Sequence, residues 1–365
     1  MEHFDRDIQT IGRLLEDLFL IDAIYHQGAD KISMSIRCRY ETTRSLKMIR
    51  DRLTTAGYEF ELDSSDEPCL LIINPRPRRK IPTTNIVMFV TTVIAVYLVP
   101  VYLRMLNAAP TFSAAWDDTV EALKNGAGIM FTMAMISILF VHEMGHYIAG
   151  RRRNIVMSWP FFIPAPSIIG TFGAIIKSKS PFWNRRDLIE VGAAGPIAGW
   201  IVALIWLIYG LSHSQVMPPN WFNPTELAFS MDGESILMRF LTGMILGTAP
   251  EGHYFLLSEA AFAGWVGLLV TALNLLPIGQ LDGGHILYGL VCKRQHILGI
   301  IATVGLVAMG FLSPTWWVFA AFGLIFGMKH PPTLHDATPP GPTARAMGWI
   351  ALAILVISFT PVPFQ

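Results

Sequence analysis

Asn125-Gly-Ala-Gly-Ile-Met-Phe-Thr-Met-Ala-Met-Ile-Ser-Ile-Leu-Phe-Val141 carries no charge, and it runs directly into His142-Glu143-Met144-Gly145-His146, with Arg151-Arg152-Arg153 just beyond. An apolar run of this length bounded by arginines reads as a membrane helix. On a helix, positions four apart share a face, so His142 and His146 offer two imidazole nitrogens to one zinc ion. Glu143 then lies on the adjoining side, where a carboxylate can take a proton from an activated water. The bland alternative is a chance H-E-x-x-H. Its location speaks against chance, because ionisable groups beside a membrane core are costly unless paired or metal-bound.

Outward from this stretch, the whole chain reads the same way. Of 365 residues, 52% are hydrophobic and 15% charged, against about 25% charged in an ordinary soluble domain. A mainly α, polytopic membrane protein is expected. Residues 1 to 81 hold 13 of the 27 Lys+Arg and 14 of the 27 Asp+Glu, so half the charge sits in under a quarter of the length, as in a soluble N-terminal module. The first twenty residues lack the apolar core of an export signal. Cys38, Cys69 and Cys292 are scattered and odd in number, which supports neither a disulfide framework nor a C-x-x-C metal site. The net charge is zero, and nucleic acid is not an expected partner.

Ile8, Ile11, Leu15, Leu18 and Ile21 predict a helix over residues 4 to 24, and Lys31 to Arg39 alternates as a strand. Thr43 to Ala56 returns to helical period, and Tyr58 to Asp63 and Cys69 to Asn74 read as strands. Residues 1–81 are therefore expected to be a soluble, cytoplasmic α+β module, ending in the basic linker Pro75 to Lys80. Spans follow at about 84 to 103, 125 to 150, 190 to 211 and 258 to 281. Ile297 to Met328 is too long for one ordinary span. Ser313-Pro314 either splits it into a hairpin or kinks a single helix, and a last apolar run covers about 346 to 362, for six to seven membrane helices in all. Ser235 to Leu246 is too short to cross. Basic residues at 76–80, 151–186 and 293–294 face acidic segments at 104–124 and 212–257. The positive-inside rule then puts the N-terminus and the zinc end in the cytoplasm, with the cell membrane the expected location.

Two histidines leave a catalytic zinc short of its usual three protein ligands. The span at 258 to 281 ends Asn274-Leu-Leu-Pro-Ile-Gly-Gln-Leu-Asp282-Gly-Gly-His285, where Pro277 and the glycines break the helix. Irregular backbone at membrane depth is tolerated where it lines an enclosed cavity, and Asp282 is the expected third ligand. The alternative role for Asp282 is an N-cap. Residues 155 to 180 are interrupted by Pro160, Pro164, Pro166, Gly170 and Gly173. They cannot be one helix, and strand pieces such as Gly173 to Lys177 could add to an unwound substrate segment by edge pairing; an ordinary cytoplasmic hairpin is the plainer reading. Gly192, Gly195 and Gly199 read as close helix packing. Asn274 reads as a capping or packing amide. His285 reads as a polar helix start or an electrophilic helper, and His213, His253, His296, His330 and His335 are expected to be solvated.

These motifs together resemble the site-2 protease family of intramembrane zinc metalloproteases, whose pattern is H-E-x-x-H on one membrane helix and Asn-x-x-Pro with Leu-Asp-Gly on a later one. The matching residues here are His142, Glu143, His146, Asn274, Pro277, Leu281, Asp282 and Gly283, joined by Gly195-Pro196 and by Gly170-Thr-Phe-Gly173. The resemblance covers 125–290 and implies a three-helix protease core there; the apolar runs place a first helix and external loop at 82–124 before it and C-terminal helices at 291–365 after it. It implies one Zn2+ per chain on His142, His146 and Asp282, with Glu143 catalytic and Asn274, Gly170 and Gly173 touching substrate. The implied partners are the lipid bilayer and single-span membrane protein substrates, often cut first by another protease, in regulated intramembrane proteolysis. A transporter with broken helices predicts two repeated halves, which are not visible. A catalytically silent scaffold predicts loss of ligand residues, and all of them are present.

Overall fold

The computed structural model of the chain describes residues 2–26, 32–38, 48–49, 51–53, 58–63, 69–75, 81–99, 116, 120–153, 155–167, 169–179, 182–218, 228–229, 235–247, 253–325, 330–333 and 336–363. The first unit is α+β. Helix α1 (Glu2–Leu15) precedes strands β1 (Phe19–His26), β2 (Ile32–Cys38), β3 (Tyr58–Asp63) and β4 (Cys69–Pro75). The strands form an antiparallel sheet in the order β1-β2-β4-β3. Ile11 and Leu15 of α1 are buried with Phe19, Met34, Ile36 and Leu71 of the sheet. The helix expected over residues 4 to 24 therefore stops at Leu15, and its second half is β1. Leu18 and Ile21 fit a helical period, yet Phe19 is buried while Leu20 is exposed, the alternation of a strand paired on one face. Arg37 donates to both carboxylate oxygens of Asp22 across β1 and β2, at 2.7 and 2.6 Å. The helix expected over 43 to 56 falls largely outside the described residues.

Two long apolar helices form the centre of the rest: α3 (Ile129–Arg152, 24 residues) and α4 (Arg185–Leu211, 27 residues). At about 1.5 Å per residue each exceeds the roughly 30 Å of a bilayer core. Asp282–Met309 is a third stretch long and apolar enough to cross. It is interrupted, however: α7 (Asp282–Val291) and α8 (Gln295–Met309) are separated at Cys292, whose φ is 52°. Shorter apolar helices complete the set: α2 (Thr83–Tyr97), α5 (Ile236–Ile245), α6 (Glu259–Asn274), α9 (Thr315–Ile325) and α10 (Pro342–Ser358). Glycines decide how closely these helices pack. A Cβ on Gly145 of α3 would lie 2.6 Å from the Ala194 carbonyl of α4, and one on Gly210 of α4 would lie 2.0 Å from the Ala261 nitrogen of α6. Such approach is the usual means of helix association in a bilayer.

Charge sets the register of α3 against α6. Glu259, in the first turn of α6, accepts from the Gly128 N–H at 2.7 Å and the Phe131 N–H at 3.4 Å, so its carboxylate caps the positive end of a neighbouring helix. At the other end of α3, Arg153 pairs with Asp187 and Glu190 of α4. Between α3 and α4 the chain forms a β-hairpin, β5 (Phe161–Pro164) with β6 (Thr171–Ile175), extended by a bridge between Met157 and Ser178. It is fastened to α2 by Asn85, which donates to the Pro160 carbonyl at 2.7 Å. The expected strand at 173 to 177 is thus β6, displaced by two residues.

The stretch 297 to 328 contains a hairpin, not one kinked helix. The Trp317 indole N–H of α9 donates to the Val307 carbonyl of α8 at 3.1 Å, a contact that a continuous helix would separate by about 15 Å. Ser235 caps α5 by accepting from the Met238 N–H. Strands β7 (Gln215–Met217), β8 (Ala228–Phe229) and β9 (Tyr254–Leu256) make a small sheet in the order β7-β9-β8.

Candidate metal centre

His142 and His146 lie one turn apart on α3, and Asp282 is the first residue of α7, with Leu281 at the N-cap position. Asp282 reaches the histidines because α6 ends at Asn274 and the chain doubles back within seven residues. Pro277 removes a helical N–H, and Gly279 takes φ 52°. Gly283 is required by the same turn, since a Cβ there would sit 1.9 Å from the Leu275 carbonyl oxygen.

The three donors form a nearly equilateral triangle. His142 Nε2 and His146 Nε2 are 3.2 Å apart, and each is 3.3 Å from Asp282 Oδ2. Zinc–ligand bonds of about 2.0–2.1 Å in tetrahedral geometry require donor separations of about 3.3 Å, which these meet. The donor chemistry agrees as well. His146 Nδ1 is 2.8 Å from the Val191 carbonyl; a carbonyl only accepts, so Nδ1 carries the hydrogen and Nε2 presents its lone pair to the triangle. His142, Glu143 and His146 are 5%, 6% and 8% exposed, so both histidines and the neighbouring carboxylate are buried, while Asp282 is part-exposed.

The glycines of α4 make room for this site. A Cβ on Gly195 would lie 2.1 Å from His146 Nε2, one on Gly199 2.9 Å from the His142 Cβ, and one on Gly192 3.1 Å from the His285 Cβ. The stripe read from sequence as helix packing is therefore also the wall of the metal site. Pro196, one residue on from Gly195, has no N–H to offer the Gly192 carbonyl four residues earlier, which leaves that carbonyl without its helical donor.

A cleft of about 300 Å³ opens beside the triad. Glu143, Asn274 and His285 line it, and its other wall includes Ala174, Ile175 and Ile176 from β6 and the residue after it. The Asn274 amide nitrogen is 3.5 Å from His142 Nε2, so this residue belongs to the site. Gly173 lies in β6 with open space around its α-carbon. Gly170 is elsewhere: its φ is 79°, and a Cβ would meet the Val96 backbone of α2 at 2.6 Å, so it fastens the hairpin to α2 and does not line the cleft.

One expectation is corrected. His330 is not solvated; it is 4% exposed and its Nε2 lies 2.5 Å from His285 Nδ1. Nothing local in the sequence marks this, because the contact joins residues 45 positions apart. His213 does lie at an exposed helix end, accepted by the Tyr209 carbonyl, and His335 is outside the described residues.

A membrane-length helix carrying two histidines and a glutamate, met by an aspartate at the start of α7, defines a membrane-embedded metal site of the metallopeptidase type. Residues 130–312 match the model of Peptidase family M50, and the chain belongs to that family, the site-2 proteases. It is 32% identical to a probable chloroplastic zinc metalloprotease EGY2 of Arabidopsis thaliana over 74% of this chain and 48% of that protein. Identity to the rice (Oryza sativa subsp. indica) protein of the same description is 28% over 97% of this chain and 66% of that protein, and to Arabidopsis EGY1, a probable chloroplastic zinc metalloprotease, 30% over 65% and 43%. The chain thus spans about half to two thirds of the length of the curated relatives it matches. No solved structure matches it.

Proposed function

We propose that the protein is an intramembrane zinc metalloendopeptidase that hydrolyses peptide bonds within or near the membrane segment of a single-span protein. The observation that carries this reading is the 3.2–3.3 Å triangle of His142, His146 and Asp282 with Glu143 on the same cleft. His142, His146 and Asp282 would hold the ion. A zinc ion held there supplies Lewis acidity to a water molecule and to a peptide carbonyl. Glu143 takes a proton from the attacking water as its oxygen bonds to the carbonyl carbon, and returns the proton to the leaving amine nitrogen as the C–N bond breaks. Asn274 supplies an amide beside that centre for the substrate backbone.

A transmembrane helix keeps its carbonyls bonded internally, so the substrate must open locally before attack. Strand β6 lines the cleft and pairs only with β5 among the described residues, so its second edge is available to an opened segment. Gly173 keeps that edge unobstructed. The reading includes six to seven membrane crossings, with the soluble unit at 1–81 and the metal end of α3 both on the cytoplasmic side, where Arg151, Arg152 and Arg153 lie. Cleavage after a first cut by another protease, releasing a tethered regulator, is part of the same proposal. The test is to incubate purified protein in liposomes with a single-span reporter whose apolar segment contains Gly-Pro. Cleavage should depend on zinc and stop with a chelator, and an intact reporter at full zinc occupancy would remove the reading.

A further inference from the structure

Beyond the triad and its glutamate, the cleft holds a fifth ionisable side chain with a committed partner. His285 stands in the first turn of α7 and lines the cleft. Its Nδ1 is 2.5 Å from His330 Nε2, and His330 Nδ1 is 2.5 Å from the Pro331 carbonyl. Because the carbonyl only accepts, His330 Nδ1 carries a hydrogen. Burial pushes the His330 pKa down, and the Pro331 carbonyl and Asp336 oppose this more weakly, so the ring is neutral and its Nε2 is an acceptor. His285 Nδ1 must then be the donor. With its hydrogen on Nδ1, the neutral His285 ring has a bare lone pair at its remaining nitrogen, Nε2.

His330 is not placed there loosely. Its own N–H donates to Gln295 Oε1 at 3.2 Å, and its ring stacks on Tyr288 at 4.7 Å. The strand of chain that bears it is tied down by Tyr288, which donates to Asp336 Oδ2 at 2.5 Å, and by Arg185, which donates to the Thr338 carbonyl at 3.4 Å.

The chemistry of an extended peptide supplies the purpose. Such a segment has N–H groups on both edges, and pairing with β6 satisfies one edge only. The N–H groups of the other edge are left to find acceptors in a desolvated cleft, where an unmet donor is costly. We infer that His285 is a substrate-binding residue that accepts, at Nε2, a backbone N–H from the free edge of the substrate strand, and that His330 is a positioning residue that fixes the tautomer needed. This rests on the peptidase reading for its substrate, and on the His285–His330–Pro331 geometry together with the burial of His330 for its tautomer.

The two parts are tested separately on the full chain. Diethyl pyrocarbonate acylates a bare imidazole nitrogen, and peptide mass spectrometry reads the rate at His285. His330→Phe should slow that rate severalfold, while His330→Gln, whose amide oxygen takes the place of Nε2 as acceptor, should restore it. Equal rates in wild type and His330→Phe would overturn the tautomer assignment. With the Gly-Pro reporter, His330→Phe and His285→Phe should each raise KM about three- to tenfold, the scale of one hydrogen bond. Zinc content and kcat should hold within about twofold, and His330→Gln should return KM. A loss confined to kcat, or no change, would overturn the substrate contact. If wild type leaves the reporter intact, the peptidase reading and this contact fall together, and the labelling rates still decide the tautomer.

Discussion

Glu143 is adjacent in sequence to a metal-site histidine yet is given a different task, and the two tasks separate experimentally. Glu143→Gln preserves shape and removes the base, so turnover should fall by about 10²–10⁴-fold with one zinc per chain retained. Unchanged turnover would assign the proton transfer elsewhere. Asp282→Ala should do the reverse of preserving metal, since it removes one corner of the triangle; full zinc occupancy in that variant would take Asp282 out of the ligand set. Gly195→Ala is a sharper test of the same geometry. Its new methyl would lie 2.1 Å from His146 Nε2, so His146 must swing away, and metal content at fixed free zinc should drop at least about tenfold, the scale of 1–3 kcal/mol of overpacking. Gly243→Ala, with nothing within 4 Å, should leave metal content unchanged.

At the level of elements, the proposed pairing of β6 with substrate can be separated from its pairing with β5 along one short strand. Neighbouring residues of β6 send their N–H groups to opposite edges, one toward β5 and the next outward. Proline placed at Ala174 and at Ile175 in turn therefore removes either a hairpin hydrogen bond or an outward amide. The outward position should show at least about a tenfold loss of cleavage with zinc content and the hairpin intact. Equal effects at both positions would mean that β6 supports the site without pairing to substrate. Phe172, at 73% exposure, marks how open this strand is to what surrounds it.

For the whole molecule the testable consequence is direction and access. Single cysteines at Lys179 and at His213 lie beyond opposite ends of α4, which at about 1.5 Å per residue spans some 40 Å. A membrane-impermeant reagent applied from outside intact cells should label position 213 and miss 179. Labelling with the opposite pattern would invert the proposed topology. Access also depends on the substrate: replacing Gly, Pro or Asn in its membrane segment with Leu should slow cleavage by about tenfold or more even away from the cut, because each such change strengthens the helix that must open. Rates that follow only the residues flanking the cut would point to a sequence-reading pocket.

Local order was written in the chain wherever the contacts are local. His142 and His146 share a helical face by spacing alone, the membrane helices follow from unbroken apolar runs, and Pro277 with its glycines announces the break after α6. Asp282 was reachable because few polar residues can stand at membrane depth without a partner. Other features depended on contacts between distant positions. Residues 19 to 26 fit both a helix and a strand, and only pairing with β2 decides between them. Gly170 and Gly173 look alike in sequence, but one is pressed against α2 and the other faces open space. His330 reads as a loop histidine until the fold buries it against His285. Periodicity and side-chain cost in a membrane are properties of the sequence; which face meets which neighbour, and hence which histidine is solvated and which completes a site, is set by the packing of segments far apart along it.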